Sequence, residues 1–257
     1  MQYIQINGKK ISRIVCGTNA FYGRSHFSEA RDAEYADRCS DDYIKQIIRK
    51  CLEYGVNGVE TSANERIAGI ISELRQEEKT DINFIGSTRI DKTSPMKTYR
   101  EKLDFLIEHK AEVCVIHAQL VDRPHKSREI RGLEKLIDRI HGEGLIAAIS
   151  THHVSTVEIC EERDYGVDLY LFPFNETGFV YPGFESNDTV EDRINLIQSI
   201  PKPFMLMKVL GAGRISPSEG LQFAMNNCKD NDLITLGLSS IEETEESLEM
   251  INNFLER

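Results

Sequence analysis

Apolar residues in this chain fall into two alternating patterns. Short runs rich in β-branched residues occupy 13–17, 58–61, 82–87, 113–117, 145–151, 167–174, 204–209 and 233–238. Several are apolar almost without interruption, the signature of parallel strands covered on both faces. The stretches between them repeat with a helical period. Ile44, Ile47, Ile48, Cys51 and Leu52 share one face, as do Leu133, Leu136, Ile137 and Ile140 ahead of the stop at Gly142 and Gly144. Leu248, Ile251 and Leu255 mark a last helix, and Ser40, Ser216-Pro217 and Ser240 stand where helix caps belong.

Strict strand–helix alternation over eight units predicts an α/β fold, a single (β/α)8 barrel spanning 1–257 with right-handed crossovers. An open doubly wound sheet is the alternative, and the lack of a GxGxxG after the first strand weighs against it. Ahead of the first barrel strand, Tyr3-Ile-Gln-Ile6 and Lys9-Lys-Ile11 flank Asn7-Gly8. That pattern reads as a tight β-hairpin placed to plug the barrel floor. Two connections, 19–39 and 176–188, exceed what a barrel needs and are rich in aromatic and basic residues, so they are read as lids over the site.

Length and charge narrow the function. The 257 residues match the roughly 250 of one barrel, and 40% hydrophobic residues suffice for its core. A net charge of −11 argues against nucleic acid and anionic membranes, leaving a small-molecule substrate. No run approaches the ~20 apolar residues of a membrane span, and Met1–Lys10 carries no secretory apolar stretch. The six cysteines are scattered without a CxxC pair, which fits a reducing, cytoplasmic setting.

Barrel active sites form where strands end, and a polar residue stands at nearly every such end here. Glu60 follows the second barrel strand, Arg89 the third and His117 the fourth. Ser150 and Thr151 end the fifth, Asn175 follows the sixth, and Lys208 closes the seventh. The seventh and eighth units hold the most specific signal. Lys208-Val-Leu210-Gly211-Ala-Gly213-Arg214 precedes one helix start, and Gly237-Leu-Ser239-Ser240 precedes another. Small residues ahead of a helix N-terminus let backbone N–H groups approach an anion, so both loops are candidate phosphate sites.

Several motifs, in order, resemble those of the aldo-keto reductases. Gly17-Thr-Asn-Ala-Phe-Tyr-Gly23 is similar to the family's opening turn, and Gly55-Val-Asn-Gly-Val-Glu-Thr-Ser62 to its second strand. Ile149-Ser-Thr-His152 and Phe172-Pro-Phe-Asn175 resemble the strand ends that contact nicotinamide. Met207-Lys-Val-Leu-Gly-Ala-Gly213 and Gly237-Leu-Ser-Ser-Ile-Glu-Glu243 look like the cofactor phosphate loops. The resemblance implies an oxidoreductase using NADP or NAD on a small carbonyl or alcohol. Cofactor contacts then fall on Ser150, Thr151, Asn175, Lys208, Leu210, Gly211, Gly213, Arg214, Gly237, Ser239 and Ser240. The reaction centre departs from the family pattern. Glu60 takes the Asp position, Glu65 the Tyr position and Arg89 the Lys position, while His117 stays in register. An arginine organises charge but cannot titrate as a lysine does. Tyr22, in the first long connection, is a replacement phenol.

Each of these residues has a plainer reading. Glu60 is a catalytic acid or the ion-pair partner of Arg89, with the ion pair favoured. His152 and His153 invite a metal shared with His117 and Glu60, but neighbours on a strand point opposite ways, so no metal is expected. His109, His125 and His141 read as surface residues. Two further functions stay open beside the oxidoreductase. One is a non-redox lyase, isomerase or hydrolase acting on a phosphorylated small molecule. The other is a ligand-binding protein whose chemistry has been lost.

Overall fold

The computed structural model describes residues 1–90, 95–122, 128–184 and 187–255. Eight parallel strands close on themselves. They are β3 (Ile14–Gly17), β4 (Gly58–Ser62), β5 (Asn83–Ser87), β6 (Val113–Ile116), β7 (Ile146–Ser150), β8 (Leu169–Pro173), β9 (Phe204–Met207) and β10 (Leu233–Gly237). Closure is made by β10, whose Ile234 is in register with Ile14 on one side and Leu206 on the other. The ladder trims seven of the expected strands by a residue or two at an end and extends the second to Ser62, because pairing lasts only where both neighbours continue.

Side chains alternate between two cores with the period of a strand. On β7, Ile146 and Ala148 fill the barrel interior, while Ala147 and Ile149 face the helical layer. That layer comprises α2 (Asp41–Glu53), α3 (Glu65–Glu78), α4 (Tyr99–Glu108), α6 (Leu133–Gly142), α7 (Val154–Glu162), α8 (Val190–Ser199), α9 (Pro217–Asn227) and α10 (Ile241–Leu255). The anticipated caps are in place. Ser40, Ser216 and Ser240 each accept a backbone N–H from three residues on, at 3.3, 3.3 and 3.1 Å. The hairpin of β1 (Tyr3–Ile6) and β2 (Lys9–Ser12) turns at Asn7-Gly8, both with positive φ, and sends Ile6 and Ile11 into the interior core. The barrel floor is plugged as its pattern suggested.

The first long connection is not a plain loop. It holds a 3-10 turn at Asn19–Tyr22 and the helix α1 (Glu29–Arg38), capped by Ser28. No residue of α1 is buried, so it lacks the apolar stripe by which a helix is read from sequence. The four-residue α5 (Ala118–Val121) follows β6 and was also unmarked.

One glycine fixes how α9 seats against the barrel. A Cβ on Gly220 would stand 2.6 Å from the Val209 carbonyl oxygen and 2.9 Å from Leu210. By helix propensity alone Gly220→Ala would stabilise α9 by about 1 kcal/mol. We expect the clash to reverse that sign and the variant to lose about 1–3 kcal/mol. Urea denaturation checks it, and a raised midpoint would contradict the packing described.

Candidate active site

The strand ends and the two long connections enclose a cavity of about 1070 Å³ at the C-terminal mouth of the barrel. Glu60, Arg89, His117 and Lys208 all line it, from β4, the residues after β5 and β6, and the end of β9. Residues separated by up to 148 positions therefore share one space.

Glu60 lies deep in the mouth. Burial pushes its carboxyl up to about 7, against the opposing pull of the Arg89 charge. The two groups interact through space and form no direct ion pair among the described residues, which corrects the expected pairing. Register explains this, since Glu60 is abreast of Ile85, four residues before Arg89. Close enough to feel the charge of Glu60, the Tyr22 phenol lies 2.6 Å from Thr61 Oγ1 and lines the same cavity. Burial raises its pKa, so the phenol is neutral.

His117 and His152 are neutral imidazoles of opposite tautomer. The Gln119 N–H donates to His117 Nδ1 at 3.2 Å, which puts the ring proton on Nε2. Burial, then the charge of Arg89, lowers its pKa to about 3. His152 Nδ1 instead donates to Asp122 Oδ2 at 2.8 Å, which leaves Nε2 with a lone pair. Lys208 holds a left-handed backbone (φ 61°) that turns its side chain into the mouth, and burial lowers its pKa to about 8. Two buried hydroxyls on the cavity wall, Ser87 Oγ and Thr235 Oγ1, have no hydrogen-bond partner among the described residues. Buried polar atoms of this kind suit a polar ligand.

Both long connections fold over the mouth. His26 comes close enough to Lys208 and Arg89 for their charges to depress it, after burial. Tyr181 and Phe184 of the second connection pack on His152, with ring centroids at 5.5 and 5.7 Å. The two meet at Arg214, whose guanidinium lies 5.4 Å from the Phe27 ring and 4.1 Å from Phe179 and donates to the His26 carbonyl at 3.2 Å. Arg31 of α1 also reaches this loop, within 3.0 Å of where a Cβ on Gly213 would be. Two guanidinium groups thus flank the glycine loop.

The other proposed cofactor contacts divide. Ser150, Leu210, Gly213, Arg214 and Gly237 line the cavity; Thr151, Asn175, Gly211, Ser239 and Ser240 do not. The Asn175 amide is spent on its own loop and the end of β9, donating to the Phe179 and Lys208 carbonyls and accepting from Thr177 and Phe179. Thr151 donates to Asp122. At the start of α10 the anticipated anion site already holds a carboxylate. Glu243 accepts from the Ser239 N–H at 3.0 Å and its hydroxyl at 2.5 Å. Glu65 is a correction. It opens α3 with its side chain 73% exposed, 3.4 Å from His109, and has no place in the cavity. A helix start after β4 points its first side chain away from the barrel axis.

Sequence reasoning missed Asp122, which has no motif around it, and passed over His26 as part of a loop. His153 packs on Phe184 at 5.4 Å. Among the described residues no group of three His, Cys, Asp or Glu is placed to hold a metal ion. His125 lies outside the described residues.

Neither a protein-family model nor a curated protein sequence matches the chain. Solved structures do. An aldo-keto reductase from Bacillus halodurans superposes with a TM-score of 0.68 at 12% identity, over 98% of this chain and 91% of that one. The shared fold is the (β/α)8 barrel. A glycerol dehydrogenase from Gluconobacter oxydans gives a TM-score of 0.64 at 11% identity, covering 98% and 94%. Non-redox barrels match as well, among them an N-acetylmannosamine-6-phosphate 2-epimerase from Clostridium perfringens at 0.55 and 14%, covering 85% and 86%. At such identities the likeness speaks for the fold alone.

The Glu60 carboxyl is held near 7 in the folded chain against 4.5 as its ordinary value, so folding favours the protonated form. Its contribution is fully present below pH 4.5 and is lost as pH rises through 7. Glu60→Gln is therefore expected to match the wild type in thermal stability at pH 4.5 and exceed it at pH 8. Parallel melting curves at the two pH values that differ by the same amount would refute the assignment.

Proposed function

We propose that the protein is an oxidoreductase resembling the aldo-keto reductases, acting on a small carbonyl or alcohol with NAD(H). The observation that carries this reading is the reach of one cavity from the Glu60–His117 cluster to the glycine loop and the start of α10. At about 1070 Å³ it exceeds the roughly 300–1,000 Å³ of most small-ligand pockets, and a small carbonyl compound would fill only part of it. A dinucleotide beside the substrate accounts for the rest.

The lining groups suit such a ligand end to end. Arg31 and Arg214 beside Gly213 offer two positive charges for a diphosphate. Glu243 and Glu246 line the far end, where carboxylates accept from ribose hydroxyls and repel an added phosphate. This favours NAD over NADP. A reduced nicotinamide, when bound, supplies hydride to a carbonyl carbon.

The chain's own residues handle charge and protons. His117 Nε2–H donates to the carbonyl oxygen, and neutrality lets it do so across the working pH range. Arg89 and Lys208 stabilise negative charge growing on that oxygen. Glu60, half protonated near neutral pH, delivers the proton that the family draws from a tyrosine, with the Tyr22 hydroxyl close by. The free cysteines support a cytoplasmic setting, and the net charge of −11 supports a small-molecule partner rather than nucleic acid or membrane. Among the described residues no helix is long and apolar enough to cross a membrane.

Titration with NADH and NADPH, followed by reduced-cofactor fluorescence, tests the reading. We expect saturable NADH binding at least tenfold tighter than NADPH, a difference of about 1.4 kcal/mol. Glu243→Gln should narrow that gap by strengthening NADPH. No binding of either nucleotide at high micromolar concentration would remove the oxidoreductase reading.

A further inference from the structure

The oxidoreductase reading gives Asp122 and His152 no role, yet they are held in the mouth by a dense set of hydrogen bonds. Asp122 Oδ2 accepts from His152 Nδ1 at 2.8 Å and from the His152 N–H at 3.0 Å. Its Oδ1 accepts from the Thr151 hydroxyl at 2.5 Å and the Thr156 hydroxyl at 3.4 Å. Burial alone would raise the Asp122 carboxyl, but the hydrogen bonds from His152 and Thr151 outweigh it and keep it ionised. An ionised carboxylate on Nδ1–H fixes the ring and makes Nε2 the basic edge. Tyr181 and Phe184 pack against the ring from the second lid.

His117 presents the complementary group. The strands β6 and β7 are adjacent, with Ile116 abreast of Ile149. Continued one step, that register sets His117 beside Ser150, two residues before His152. With strands about 4.8 Å apart and a rise of about 3.3 Å per residue, the two backbones are about 8 Å apart. A proton on His152 would lie close enough to disfavour one on His117. One cavity therefore holds a neutral imidazole offering N–H and another offering a lone pair, with Arg89 and Lys208 beside them. Ser87 Oγ, 4% exposed and without a hydrogen-bond partner among the described residues, lines the same wall and suits a second substrate oxygen.

We propose that this site also enolises small α-hydroxy carbonyl compounds without any nucleotide, with His152 as base and His117 as hydrogen-bond donor to the carbonyl oxygen. His152 Nε2 takes the proton from the carbon next to the carbonyl. The C–H electron pair becomes the C=C bond, and the carbonyl π pair moves to oxygen, where His117 Nε2–H, Arg89 and Lys208 stabilise it. Return of a proton from His152 reverses each bond change, and in D2O, once its Nε2–H has exchanged with solvent, the carbon acquires deuterium. Nothing is oxidised or reduced. Asp122 is a positioning residue that sets the tautomer of His152. The inference shares with the oxidoreductase reading the placement of a carbonyl oxygen at His117, Arg89 and Lys208, but neither the nucleotide nor the proton donor.

The experiment is deuterium exchange followed by proton NMR, on the full chain in D2O at pH 7 with no nucleotide added. Hydroxyacetone, dihydroxyacetone and dihydroxyacetone phosphate are the probes. Exchange at least 100-fold above buffer is expected with one or more of them. It should fall at least 100-fold in His152→Ala and return on adding free imidazole, which a merely structural role would not allow. In Asp122→Asn, nitrogen-15 NMR should show His152 losing its Nδ1–H tautomer as exchange falls. No exchange above buffer with any probe, or unchanged exchange in His152→Ala, would overturn the proposal. Exchange in a protein that fails to bind NADH and NADPH would keep this inference and discard the oxidoreductase. Nucleotide binding without exchange would do the reverse.

Discussion

The parallel hydrogen-bond ladder of eight strands, sealed where β10 pairs with both β9 and β3, is the constraint on which everything else depends. Parallel pairing gives all the strands one direction, so their C-terminal ends meet on a single rim. Hydrophobic burial on both sides of the ladder holds that register. A one-residue slip would exchange Ile146 and Ala148 with Ala147 and Ile149 between the two cores. The floor is sealed by Ile6 and Ile11 of the hairpin, which leaves the opposite end as the open one.

At that open end, burial and mutual charge act together. Glu60 is raised, His117 and Lys208 are lowered, and in each case desolvation is the larger cause. Arg89 adds to the lowering of both cationic groups and opposes the rise of Glu60. The outcome is a mouth in which Glu60 and Lys208 titrate close to neutral pH and His117 stays neutral, so that groups can exchange protons with a substrate. Both proposed chemistries draw on this balance, which is set by the depth of the cavity rather than by any one residue.

The covering segments tie the two halves of the cavity together. Arg214 belongs to the glycine loop, but its guanidinium sits between Phe27 of the first connection and Phe179 of the second. Cation–π contacts of this kind contribute roughly 0.5–2 kcal/mol each, enough to bias a lid without locking it. A ligand charge at the glycine loop and closure over the reacting groups are thereby coupled through one side chain.

The sequence by itself determined the eight-fold alternation, the hairpin plug, the caps at Ser40, Ser216 and Ser240, and the placing of Glu60, Arg89, His117 and Lys208 at strand ends. These follow from periodicity and local turn chemistry, which act over a few residues and leave a readable pattern. Only the tertiary structure decided the rest. Glu65 turned outward, Asn175 was spent on backbone carbonyls of its own loop and of Lys208, Glu243 settled on the Ser239 N–H, and Asp122 met His152 across 30 positions. The polar helix α1 gave no apolar stripe, and Tyr22 reached Thr61 only once the chain had folded back over the mouth. Such contacts depend on how neighbouring β/α units sit against each other, and hydrogen bonds between distant side chains leave no period in the sequence.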